Sequence, residues 1–222
     1  MNPHLLVIEL NNQAVAFMKQ NQFHDAISAT SAALKYQREI EIARSVAQCS
    51  TSEGEEECAC DCIDQYMLEC DRVDLPCSAL SSEFVYQQGI PIPYNATKTM
   101  AQVTPIIIFN SALSHQLLAL HQQHHQAGTI KSQHFLTHAK RLYQLAHDAN
   151  DREENVLFQF AVINNTAVIH KALGNLAASK KCFDFLLSLL MVFIDRGCST
   201  QVKHMHDFLV NVSANAGTAA AA

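Results

Sequence analysis

Apolar residues recur at three-, four- and seven-residue steps near the start of the chain: Leu10, Ala14 and Phe17, then Phe23, Ala26, Ile27, Ala33 and Leu34. A period near 3.6 places each set on one helix face, so two amphipathic helices are predicted between Leu5 and Ala47, with Asn21-Gln22 as the break. The pattern resumes at Thr104-Pro105, where a threonine N-cap followed by proline predicts a helix start. IIIFNSALSHQLLALHQ carries that helix toward Gly128, and Ser132 is expected to cap the next one, over HFLTHAKRLYQLAHDA. Asp151 to Glu154 has capping-box spacing and opens a helix that reaches Leu173, with Gly174-Asn175 as its turn. Leu176 to Asp195 contains the most apolar run, FDFLLSLLMVFI, and reads as the most buried helix. Ser199 or Thr200 caps a last helix whose apolar face is Val202, Met205, Phe208, Leu209 and Val212.

Between the two helical blocks lies a different kind of sequence. Residues 50–74 hold nine acidic residues against the single Arg72, and Pro76, Pro91 and Pro93 follow. The expected organisation is a first hairpin over 1–47, an acidic, cysteine-bearing insert over 48–103, two hairpins and a capping helix over 104–216, and a disordered tail at 217–222. Within the insert, FVYQQGIPIPY is extended, because a residue that precedes proline avoids the helical region.

The small residues of these pairs follow a scheme. In the first pair, Leu10 and, within NNQAVAFMKQNQFHDAISATSAALKY, Ala14, Phe17, Ala26 and Ala33 stand where the tetratricopeptide (TPR) pattern wants large, small, aromatic and two further small residues. The third pair repeats the layout with Ala167, Gly174, Ser179 and Phe183, and the second has Ala112, Ala139, Tyr143 and Ala146. The chain therefore resembles a degenerate TPR-like array, with Leu186 standing where a small residue would be usual. Asn12 to Asn110 spans 98 residues and Asn110 to Asn165 spans 55, against a regular period of about 34. The fold class expected is all-α: a TPR-like stack of three antiparallel hairpins, a C-terminal capping helix and an irregular acidic insert.

Asn12, Asn110 and Asn165 each lie two residues before the small residue of a first helix. The resemblance implies that this place lines the concave groove, where asparagine hydrogen-bonds the backbone of an extended peptide; stabilising the hairpins is the competing role. The carboxylate-clamping TPR subtype does not fit. Ile8 and Ala161 stand one turn before Asn12 and Asn165, and Asn165 occupies the place of the clamp arginine. Ile90, Ile92 and Tyr94 are too apolar to leave in water, so FVYQQGIPIPY is expected to lie along the stack and cover its groove. A partner would then have to displace it.

Other chemistry finds less support. Cys58, Cys60, Cys62, Cys70 and Cys77 are close enough for a soft metal to recruit four of them, but C-x-C-x-C is tighter than the usual zinc knuckle and the neighbouring acids raise thiol pKa. His121, His124, His125, His134 and His138 lie in a Gln/His-rich stretch without nearby carboxylates to orient metal ligands. Cys182 and Cys198 read as packing residues. No nucleotide loop, zinc-protease or nucleophile-elbow motif is present. A net charge of −6 argues against a nucleic-acid partner, and the 12-residue apolar run is short of the ~20 that cross a bilayer. With no basic, signal-like start, the cysteines read as reduced thiols and the compartment as cytoplasmic or nuclear. The function expected is a non-catalytic protein–protein interaction module without cofactor or metal, binding a peptide or partner helix through Asn12, Asn110 and Asn165. The alternatives are a metal-binding regulatory protein that uses Cys58–Cys77, and a structural protein that forms a homodimer through Leu187–Ile194.

Overall fold

The computed structural model describes residues 3–49, 85–94, 99–125, 130–150, 156–197 and 205–216. They form seven helices: α1 (Pro3–Lys19), α2 (Phe23–Cys49), α3 (Met100–His125), α4 (Ile130–Asp148), α5 (Val156–Ala172), α6 (Leu176–Asp195) and α7 (Met205–Ala216). No strand occurs among the described residues. α1 packs on α2, α3 on α4 and α5 on α6, and each pair meets the next through α2–α3, α4–α5 and α6–α7. The odd helices also touch one another, α1 with α3 and α5 with α7. Phe109 of α3 meets Phe158 of α5 at a ring separation of 5.5 Å. The odd helices thus make one continuous inner row.

The same turn closes the first and third pairs. The amide of Gln22 donates to the Phe17 carbonyl and that of Asn21 to Met18, while Asn175 donates to His170 and Gly174 to Lys171. Each is the 6→1 and 5→2 pattern of a Schellman cap, which needs one residue in the left-handed region. Asn21 (φ 58°) and Gly174 (φ 76°) supply it. The small residues of the hairpins face inward: Ala14, Ala26, Ala33, Ala112, Ala139, Ala146 and Ala167 are fully buried, and the Ser179 hydroxyl reaches the Ala167 carbonyl at 2.9 Å across the α5–α6 contact. Without side-chain bulk at these places, helix axes can approach closely.

Three expectations are corrected. α3 begins at Met100, not at Thr104-Pro105, which moves the end of the insert to about residue 99. The Thr99 amide donates to the Gln102 side chain (3.0 Å), the side-chain-to-amide half of a Thr-x-x-Gln capping box, and the longer helix buries Met100 and Val103. Pro105 then lies inside the helix, where the bond it cannot make falls on the carbonyl of exposed Ala101, within reach of water. Ser132 is no cap either: α4 starts two residues earlier and buries it. Finally, α6 is not the most buried helix. Phe183, Leu186 and Leu190 are buried, but Phe185, Met191 and Val192 are about half exposed. The face considered for self-association is therefore open in part. The enclosed helices are α5 and above all α3, which is buried all round from Pro105 to Ala119. Residues 100–122 of α3 are long and apolar enough to cross a membrane, yet 89% of their most apolar 18-residue window is buried inside the fold. The proposed caps at Asp151–Glu154 and Ser199 or Thr200, and the tail at 217–222, lie outside the described residues.

If close helix approach depends on the alanines, enlarging one should be costly. Ala112→Leu is expected to lose about 1–3 kcal/mol by overpacking, a fall in Tm of roughly 3–10 °C. Ala101→Leu on the exposed side of the same helix should stay within about 0.5 kcal/mol. Thermal unfolding followed by circular dichroism compares the two.

Candidate functional site

Asn12, Asn110 and Asn165 lie on α1, α3 and α5 of the inner row, and all three face one stretch of the insert. Asn165 accepts the Tyr86 amide at Oδ1 (2.9 Å) and donates from Nδ2 to the Tyr86 carbonyl (3.0 Å). Asn110 does the same for Ile90, at 2.8 Å in each direction. Asn12 does so for Ile92, at 2.7 and 2.8 Å. A carboxamide offers a donor and an acceptor on one edge, as a neighbouring β-strand does, so each asparagine satisfies both backbone groups of one extended residue. Only one orientation of each amide suits its partners, which fixes which atom is nitrogen.

Further polar groups hold these asparagines in place. Asn11 donates to the Ile90 carbonyl (3.2 Å) and receives the Asn110 amide (2.8 Å), joining α1 to α3. Asn211 of α7 donates to Asn164 (2.8 Å), which donates to Asn165 (3.2 Å). Asn165 also donates to the Tyr143 oxygen (3.0 Å), whose hydroxyl goes on to Gln116 (2.8 Å). Burial pushes the Tyr143 phenol far above its ordinary pKa, with the Asn165 bond pulling it slightly back, so it stays a neutral donor. Burial likewise raises Tyr86.

Two side chains of the segment, Tyr86 and Ile92, are received as closely as its backbone, whereas Tyr94, expected to be covered, is 60% exposed. The Tyr86 ring stacks on Phe208 (6.2 Å, 23° between planes) and lies 6.3 Å from Phe109. Ile92 is 1% exposed in a cluster with Val7, Ile8, Met100, Val103, Ile106 and Ile107. At Gly89 the chain approaches α1 so closely that a Cβ would lie 2.5 Å from Met18 Cε and 3.1 Å from Val15 Cγ2. Pro91 and Pro93 face solvent. The doublets Asn11-Asn12 and Asn164-Asn165 are a sequence signal for the supporting row. Nothing in the sequence marks Tyr143 or Gln116 as their partners.

The five insert cysteines and Cys198 lie outside the described residues. Cys182 is half-buried with its thiol pKa raised by burial, as suits packing. Of the histidines singled out, His121 and His134 are exposed and His138 is half-buried; the side chains of His124 and His125 lie outside the described part. No group of three His, Cys, Asp or Glu suited to a metal occurs among the described residues. The notable histidine is one the sequence reading passed over. His115 on α3 is buried, its Nδ1 donates to the Ser111 carbonyl (2.8 Å), and its ring lies 4.5 Å from that of His138. Burial, then the positive potential of His138 and His134, outweighs the Ser111 bond and lowers its pKa to about 4. No protein-family model matches the chain, and no curated protein or solved structure matches it either.

Two predictions follow from this geometry. Asn165→Asp removes the donors to the Tyr86 carbonyl and the Tyr143 oxygen and sets a buried charge beside them, so about 3 kcal/mol should be lost, a Tm drop of roughly 6–12 °C. Asn12→Asp, at a half-buried position, should cost less than half as much in the same thermal melts. The second concerns acid. An unfolded imidazole titrates near ~6.5, while native His115 holds out until about 4. The unfolded chain therefore takes up a proton that the native state refuses, and this group leaves stability unchanged above about pH 6.5 and lowers it steadily between there and pH 4. The loss is roughly 3 kcal/mol, and His138 and His170, both lowered by burial, act in the same direction. Urea melts across that range should show a shallower acid limb for His115→Gln than for the wild type.

Proposed function

We propose that the chain is a non-catalytic protein-interaction module, a TPR-like array whose inner row of helices holds an extended peptide by asparagine clamps. The observation that carries the reading is the set of paired hydrogen bonds from Asn12, Asn110 and Asn165 to both backbone groups of Ile92, Ile90 and Tyr86. Backbone recognition of this kind is blind to most side chains and suits an extended ligand. The inward-facing alanines and the contacts among odd helices support the repeat-like stacking. The buried Tyr143 is too hard to ionise for proton transfer. The metal-binding alternative rests on cysteines outside the described residues and draws nothing from this geometry.

In this reading the chain's own segment occupies the groove in cis. Residues 94–99 tether it directly to α3, and a short tether gives an effective concentration on the order of millimolar. A partner must therefore bind far more tightly than the intrinsic clamp affinity suggests, or arrive when the segment is released. The test uses the full chain carrying Tyr86→Ala and Ile92→Ala, which weakens the cis occupant and leaves the clamps intact. On an immobilised library of extended peptides it should retain ligands at least tenfold better than the wild type, and adding Asn110→Ala and Asn165→Ala should abolish the gain. Equal retention by all three forms removes the reading.

A further inference from the structure

We infer that the groove is selective for peptides of the form aromatic–x–x–Gly–Ile–Pro–Ile, with residues 86–92 as the copy carried in cis; the inference rests on the proposed interaction function. The clamps alone would accept almost any extended chain, so selectivity must come from what stands between and behind them.

The aromatic place is set by Tyr86, buried against the rings of Phe208 and Phe109. The last aliphatic place is set by Ile92, enclosed by Val7, Ile8 and the first turns of α3. Glycine is required three residues after the aromatic, because a side chain at Gly89 runs into α1. Met18 Cε is the far end of a flexible chain and can yield to a methyl group, but Val15 is β-branched and stiff, so anything larger is refused. Gln87 and Gln88 are exposed, and neither side chain is enclosed as those of Tyr86 and Ile92 are.

The prolines and Gln88 hold the register. Both backbone groups of residues 86, 90 and 92 are clamped, whereas Pro91 and Pro93 have no amide to offer. A slip of one residue in either direction brings a proline onto a clamp that needs an N–H donor: Pro91 and Pro93 onto Asn110 and Asn12, or Pro91 onto Asn12. A slip of two in either direction puts Gln88 at a clamped place, the buried Tyr86 place or the Ile90 place. The same prolines confine Ile90 and Ile92 to extended backbone, which lowers the entropy lost on docking. The segment thus specifies one alignment, and a ligand in trans that matches it inherits the same alignment.

The experiment uses the full chain with Tyr86→Ala and Ile92→Ala and a labelled synthetic peptide, VYQQGIPIPY, read by fluorescence anisotropy and by the Tm of the protein. The peptide should bind and raise Tm. Versions with glycine replaced by valine, tyrosine by alanine, or the last isoleucine by alanine should bind at least tenfold more weakly. A version with the first glutamine changed to lysine should bind within about threefold of the original. Should the variant chain lose helix content, recovery of helicity on adding VYQQGIPIPY but not a scrambled sequence reads the same selectivity. A scrambled peptide that binds or rescues equally well overturns the inference while leaving the groove a general backbone reader. Failure of every peptide to bind or rescue overturns the interaction reading with it. A chain that becomes dimeric by exchanging segments and binds no peptide overturns it too.

Discussion

A segment that leaves a helix without joining a sheet still has to pair every backbone N–H and C=O that it buries. At Tyr86, Ile90 and Ile92 that demand is met by asparagines borrowed from three different helices, and much else in the fold is arranged around the bargain. Each clamp requires its helix to face the segment, so α1, α3 and α5 must lie side by side with Asn12, Asn110 and Asn165 turned the same way. The supporting row of Asn11, Asn164, Asn211 and Tyr143 holds the amides in the one orientation that serves both backbone groups. The clamps at the two ends join residues 79 and 80 apart in the chain. Closing such long loops is entropically costly, so the segment docks onto hairpins whose local contacts have already formed.

The hairpins themselves were largely legible. Small residues at matching places, Asn21-Gln22 and Gly174-Asn175 at the turns, and the apolar stripes of α1 and α2 are local features with local consequences. The misreadings were local too. Thr104-Pro105 is a sound helix start by itself, but Thr99 and Gln102 form an equally sound one, and burying Met100 and Val103 against Ile92 decides between them. Ser132 lost its capping place because α4 gained two residues before it. The apolar run of α6 suggested the centre of the molecule, yet hydropathy does not say how many sides of a helix are covered. α6 has neighbours on one side, whereas α3 is enclosed by other helices and by the segment.

The candidate chemistry followed the same division. Of the residue types that stand out in a list, the cysteines of the insert lie outside the described residues, and the described histidines near residue 121 form no group of three suited to a metal. The groups that do converge are common ones: asparagines, a tyrosine, a glutamine. A histidine of consequence, His115, drew no notice because the ring it meets stands on a different helix. Only the packing of α4 brought His138 onto its ring and took His115 away from water.

The sequence alone determined the helical pairs, the residues that let them approach, and the extended backbone of Ile90 and Ile92, because each of these follows from steric preferences acting over a few residues. It also singled out Asn12, Asn110 and Asn165 by their place relative to the small residues. Which carbonyl each would meet was decided by the tertiary structure alone. Pairing across some eighty residues depends on how far apart the inner helices stand and how they are turned, and no local period in the chain encodes those distances.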